Sequence, residues 1–273
     1  MSRIARIVTL IIAGEMIFGL PFHLTRFFRP TYLDAFGLSN TDLGIMQAGY
    51  GVAAILAYFP GGALADRFST RKLLAGSLVV TAAGGLYLAT YPDLAELRYL
   101  NFFWGFSTIF LFWAALIRAT REWGGHDEQG VAFGLLEAGR GLLAVTVAFV
   151  AVRLFASLMP ADVAAASDEV RRDAFRIVIF VYSALPVVAA ALVWRFIPED
   201  QPAFAHRHSP WQGMWVVLQR PVVWGQAIVI VCAYTAFRAT DNYGLYAYDV
   251  LGMNEVNSAE FAAYGNLIRP FAA

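Results

Sequence analysis

Residues 62–72 are Gly62-Ala-Leu-Ala-Asp66-Arg67-Phe-Ser69-Thr70-Arg71-Lys72. This short charged stretch lies between two long apolar runs, about 42–65 and 72–91. A charged turn between two apolar runs, each long enough to cross about 30 Å of hydrocarbon, predicts two membrane-spanning helices joined by a tight loop. Gly62 is expected to let a neighbouring helix approach closely. Asp66 falls at a helix C-terminus, where the macrodipole disfavours an anion. It therefore calls for a cation, and Arg67, Arg71 and Arg121 are the candidates.

The same test applied outward gives seven spans at about 7–35, 42–65, 72–91, 97–118, 130–156, 175–197 and 222–247, with an eighth beginning near Ser258. The composition agrees. Of 273 residues, 59% are hydrophobic and only 15% charged, against about 25% in soluble domains. That excludes a soluble enzyme and a disordered tail, and the balance of 20 basic and 20 acidic residues gives no field for nucleic acid. The runs are continuously apolar rather than alternating, so helices are expected and barrel strands are not. The first run continues past any signal-peptide cleavage site. Cys232, alone among apolar neighbours, is expected to be a buried small residue. The fold class is all-α, a polytopic membrane protein.

Ten basic residues fall in the loops on the side of the N-terminus and four in the opposite loops, which predicts a cytoplasmic N-terminus. Residues 198–221 hold Pro198, Pro202, Pro210 and Pro221 and are expected to link two bundles. His206 and His208 in this stretch have no third ligand, so no metal site is assigned. Asp34-Ala-Phe-Gly37 recurs as Asp249-Val-Leu-Gly252 at an offset of 215, and Tyr50-Gly51 as Tyr264-Gly265 at 214. Internal repeats of this kind build many carriers. The expected organisation is a six-helix bundle over 1–197, a cytoplasmic linker over 198–221, and over 222–273 a seventh helix and part of an eighth. The chain is expected to be a fragment of a carrier with two such halves.

The 62–72 loop resembles the signature loop of the major facilitator superfamily, with Gly62, Asp66, Arg67 and Arg71 matching and Ser69 and Thr70 departing. The resemblance implies a twelve-helix secondary transporter working by alternating access, with the loop as a cytoplasmic gate. Proton-coupled drug antiporters of that superfamily carry an Arg before a Gly in the fourth span and a Gly-Pro in the fifth. Asn101 stands before Gly105 here, and the fifth span lacks proline. Three other places are similar to the organophosphate:phosphate antiporters and related organic-anion carriers: His23-Leu-Thr-Arg26 through Leu33, Tyr234-Thr-Ala-Phe-Arg238-Ala-Thr-Asp241, and Trp113 to Arg118. In that branch an Arg of the first span and one of the seventh bind phosphate, and Arg26 and Arg238 match them.

The residues support this independently. An arginine at mid-membrane costs about 2.5–3.5 kcal/mol and needs a cavity or a partner. At 1.5 Å per residue, Arg26 and Arg238 lie about 7 Å and about 5 Å outward of the centres of their spans. Two cations at similar depth on opposite halves repel unless an anion joins them, and guanidinium grips phosphate or carboxylate with two hydrogen bonds. The alternative is that each arginine pairs with an acid, such as Asp241, or snorkels outward.

His23, Tyr32 and Tyr234 are further candidate contacts for the anion. Glu15, Gly19, His23 and Arg26 share one stripe, and Glu15 is a candidate proton-coupling carboxylate. Glu137 and Arg140, three apart, are expected to pair, and with Glu15 they are the candidate pathway charges. Arg29, Arg98 and Arg118 are expected to snorkel toward the interfaces.

A small organic anion such as a sugar phosphate or carboxylate is the expected substrate, with a proton or phosphate as counter-ion. No cofactor, metal or nucleic acid is expected, and the protein should be a monomer in the inner membrane. No nucleophile motif or zinc motif points to an enzyme. The alternatives are a proton-coupled carrier of a neutral or cationic solute using Glu15, and a non-transporting sensor with a carrier fold.

Overall fold

Helix starts in this chain are set by side chains that accept the first free backbone N–H groups. Ser39 and Asp42 form a reciprocal capping box before the helix Asn40–Arg67, and Asp93 and Glu96 form another before Leu94–Phe106. Ser167 accepts from Val170 N–H at 3.3 Å to start Asp168–Phe196. Gly37 ends the helix Arg29–Phe36 in the left-handed conformation, φ 62°, which a side chain would resist.

The computed structural model describes residues 2–199, 218–267 and 271, and among these it is helical throughout, with no strand. In chain order the helices are α1 (Arg3–Met16), α2 (Leu24–Phe27), α3 (Arg29–Phe36), α4 (Asn40–Arg67), α5 (Thr70–Leu88), α6 (Leu94–Phe106), α7 (Ala114–Gly124), α8 (Gln129–Leu158), α9 (Asp168–Phe196), α10 (Pro221–Ala239), α11 (Tyr243–Asp249) and α12 (Glu255–Gly265). Much of the expected linker, with His206 and His208, lies outside the described residues.

The expected first span is interrupted. Gly19–His23 winds as a π-helix between α1 and α2, and the two helical pieces meet at 45°. Pro21 lies in that stretch and has no N–H to donate, which accounts for the break. A second π-helix, Ser107–Trp113, joins α6 and α7 into the fourth span. Four stretches among the described residues are long and apolar enough to cross a membrane by themselves: 94–124, 129–158, 168–196 and 221–249. Two bent pairs, one in the first span and one at Pro60 in α4 (53°), bring the number to six. The expected third span is not among them, because α5 has 19 residues and opens with Arg71 and Lys72. It is nonetheless enclosed, packing along α9 and against the 107–113 segment.

α4 lies along α6, and α1 packs between α8 and α9. Two apolar cores result. One, around Leu10, Met16, Leu74, Leu116 and Val193, fills the end nearer the N-terminus. The other, around Phe27, Phe28, Trp104, Phe155 and Phe175, fills the opposite end and takes in Ala259 and Ala262 of α12. Hydrogen bonds stitch the interior. Ser77 Oγ donates to Ser107 O at 2.8 Å, and Trp104 Nε1 donates to Thr81 O at 3.2 Å. A Cβ on Gly105 would run into Tyr50 O, which is how α4 and α6 come so close.

Two local expectations are corrected. Gly62 faces open space, and the close approach belongs to Gly61, whose Cβ would sit 3.0 Å from Phe110 O. Cys232 is exposed, because α10 buries none of its residues in the described structure.

The repeat has a structural counterpart. Gly37 follows α3 at φ 62° and Gly252 follows α11 at φ 66°. Two residues after each comes an N-cap: Ser39 accepts from Asp42 N–H at 3.1 Å, and Asn254 accepts from Asn257 N–H at 2.9 Å. The same cap-and-turn device is thus used twice, 215 residues apart.

Candidate functional site

The interior of a membrane bundle tolerates charge only where partners are supplied. Two groups of buried charges meet that condition. Both use the irregular stretch between α1 and α3, where the unwound turns redirect side chains that a straight helix would hold in one stripe.

The first group surrounds Glu15, 1% exposed at the end of α1. Arg140 Nε of α8 donates to Glu15 Oε2 at 3.1 Å, and His23 Nε2 lies 3.0 Å from Glu15 Oε1. Arg140 Nη1 also donates to Glu137 Oε1 at 2.6 Å. The Arg140 guanidinium sits over the rings of Phe18 and Trp113 at 5.5 and 5.6 Å. Glu137, with a side chain 45% exposed, is the outer member. The expected Glu137–Arg140 pair is present, and Glu15 joins it. His23 packs edge-on to Phe27 and Tyr182.

The second group joins the first span to the segment that follows α10. Arg26 Nε donates to Asp241 Oδ1 at 2.5 Å. Arg238 Nη1 pairs with the other oxygen, Asp241 Oδ2. Arg238 Nη2 donates to Gln47 Oε1 at 2.7 Å, and Gln47 Nε2 donates to Thr25 Oγ1 at 3.3 Å. Arg26 stacks over Phe237 at 4.8 Å and Arg238 over Phe22 at 5.3 Å. The two expected arginines therefore meet, and a carboxylate of the protein lies between them.

Arg29 is the residue that sequence reasoning misplaced. It does not snorkel but is 5% exposed. Its Nε and Nη2 donate to Asn40 Oδ1 at 2.9 and 2.7 Å, and Nη1 reaches Asp241 O at 3.5 Å. The kink at Phe28, φ −111° and ψ 34°, turns it inward. Pro30 was the available signal, because a proline has no N–H to continue a helix and is tolerated in the first turn of a new one.

Tyr32 is 1% exposed and packs against Phe36 and Phe175, in the core rather than beside the arginines. Tyr234 is 55% exposed on α10, one turn before Arg238.

At the 62–72 loop, Asp66 and Arg67 are exposed. Arg71 does not turn to Asp66. It pairs with Glu199 beyond α9, and Lys72 Nζ lies 2.8 Å from the same carboxylate. Arg118 lies across the end of α4, donating from Nη1 to Ala65 O at 2.8 Å and from Nε to Glu122 at 2.9 Å. A cation there satisfies a free helix-terminal carbonyl. On the far end, Arg98 lies 3.9 Å from Asp42. Arg171 Nη1 donates to Glu255 Oε1 of α12 at 2.6 Å, and burial pushes the Glu255 carboxyl up despite Arg171, with Asp34 and Asp168 adding to the rise.

A bundle of bent, apolar helices with charges gathered where its first and seventh spans meet is the build of a membrane carrier. Residues 11–272 match the Major Facilitator Superfamily, and the chain belongs to that family of secondary transporters. It is 28% identical over 225 residues to the inner membrane protein YqcE of Escherichia coli, covering 81% of this chain and 51% of that protein. It is 27% identical over 146 residues to the inner membrane protein YihN of the same organism, covering 54% and 34%. An uncharacterized MG294 homolog of Mycoplasma pneumoniae is 24% identical over 210 residues, covering 71% and 43%. The chain spans about half the length, or less, of these curated relatives.

Proposed function

We propose that this chain belongs to a carrier that moves a small organic anion, such as a sugar phosphate or a carboxylate, across the inner membrane by alternating access. One observation carries the reading: Arg26 and Arg238 each take one oxygen of the Asp241 carboxylate and Arg29 reaches the backbone carbonyl of the same residue, so three guanidiniums gather about a single acid. Excess positive charge in a low-dielectric interior favours the entry of a counter-charge. The fork geometry of guanidinium suits phosphate and carboxylate oxygens. Gln47 beside Arg238 and Asn40 beside Arg29 add neutral groups able to reorient toward a bound oxyanion. The names of the two Escherichia coli relatives support the inner membrane, and the loop charges support a cytoplasmic N-terminus.

The competing use of Glu15 as a coupling carboxylate for a neutral or cationic solute is less favoured, because Arg140 and His23 already hold both its oxygens. The test is counterflow into proteoliposomes containing the full-length protein. A panel should set inorganic phosphate, sugar phosphates and sugar carboxylates against neutral sugars and organic cations. Accumulation restricted to the anions supports the reading. Accumulation of the neutral or cationic solutes instead defeats it.

A further inference from the structure

Arg26 and Asp241 are 215 positions apart. That is the offset relating Asp34 to Asp249, Gly37 to Gly252 and the N-caps Ser39 and Asn254. The two partners of the buried ion pair are therefore equivalent positions of the two repeats, one cationic and one anionic. Arg238, which the sequence pairs with Arg26 by likeness to anion carriers, is not the repeat-mate of Arg26. It sits three residues before that mate, on the same turn, and takes the second oxygen of the carboxylate. Asp241 thus presents one oxygen to each arginine, as a bound oxyanion would, and its side chain is only 5% exposed.

We propose that Asp241 is a tethered counter-anion. It fills the arginine pair when the carrier is empty and is displaced when a free anion binds. A pair of buried guanidiniums with nothing between them cannot close together, because removing the counter-charge leaves uncompensated charge out of water. A carrier built that way can change sides only when loaded, and it performs exchange. With a carboxylate on the chain to take the anion's place, the empty carrier can also close and return. The consequence is net transport down a gradient, at the cost of affinity, because the free anion must compete with Asp241. The transport consequence rests on the anion reading above, whereas the counter-anion role does not.

The direct test uses the purified full-length protein, with sulfate and inorganic phosphate as probes at constant ionic strength set by sodium methanesulfonate. Asp241→Asn should melt below the wild type without sulfate and recover as sulfate is added, while the wild type responds little. Sulfate should bind Asp241→Asn about tenfold more tightly, the gain expected if Asp241 leaves the clamp open a tenth of the time. The double variant Asp241→Asn/Arg238→Gln should lose the sulfate response. An Asp241→Asn variant as stable as the wild type, one no more responsive to sulfate than the wild type, or one that cannot be purified even in sulfate would overturn the proposal. In proteoliposomes, Asp241→Asn should lower net uptake relative to counterflow, and an unchanged ratio of the two would likewise overturn it. A sulfate-responsive variant of a protein that moves none of the anions would leave the counter-anion standing and remove the transport reading.

Discussion

Replacing Glu15 by Gln keeps the shape and the acceptor oxygen of the side chain and removes its charge. The structure sets the size of the effect. Arg140 is 6% exposed and Glu15 1%, so the pair is out of water. Breaking a buried pair by removing one partner typically costs about 3–5 kcal/mol. Arg140 keeps Glu137 at 2.6 Å, but that carboxylate is 45% exposed and screened, and the rings of Phe18 and Trp113 give partial compensation. The loss should fall at the lower end, about 3 kcal/mol. For a domain of this size that lowers the melting temperature by about 6–12 °C.

The assay is thermal unfolding in detergent of the wild type, Glu15→Gln, Arg140→Gln and the double variant. The double should be markedly less destabilised than the sum of the singles, because the second substitution removes the charge left stranded by the first. A Glu15→Gln melting temperature within about 2 °C of the wild type, or strict additivity, would refute the buried-pair account and reopen Glu15 as an independent titrating group.

Other perturbations follow from packing and charge. Gly62→Ala should stabilise by about 0.5–1 kcal/mol, since its Cβ meets nothing and alanine favours helix, with thermal melting as the check. Gly105→Ala should destabilise by about 1–3 kcal/mol in the same assay, because the obstructing atom is the backbone oxygen of Tyr50 and cannot swing away. Glu255 has its carboxyl raised by burial, so the folded state holds its proton more tightly than the unfolded state does. The wild type should therefore lose stability relative to Glu255→Gln as pH rises from about 4 through and beyond the ordinary carboxylate range. Melting curves in which the wild type gains on the variant would contradict this.

The helical membrane fold was legible because its signal is composition over long windows. The third span, α5, is the shortest apolar stretch of the first six, and Arg71 and Lys72 at its start weaken its hydropathy. Gly62 was chosen over Gly61 because a motif identifies a neighbourhood, whereas a Cβ clash depends on which of two adjacent residues faces Phe110.

At the site, the sequence singled out Arg26, Arg238, Glu15, Glu137 and Arg140. Spacing along one helix shows which residues share a face. It cannot show what another segment brings to that face. Asp241 appeared only as an alternative partner, and the inward turn of Arg29 depends on a kink that helical periodicity does not register. Tyr32 was attractive as a polar aromatic near Arg26, yet the turn that buries Arg29 carries Tyr32 into the Phe36–Phe175 packing.

The central claim is that a free anion is gripped by the arginines of the first and seventh spans. The most direct measurement is anion counterflow by the full-length protein carrying Arg238→Gln, compared with Arg153→Gln, whose side chain is 72% exposed and pairs with Glu260 away from the cluster. The account predicts that Arg238→Gln abolishes accumulation of the transported anion while Arg153→Gln retains it. Equal transport by the two variants at wild-type level would contradict it.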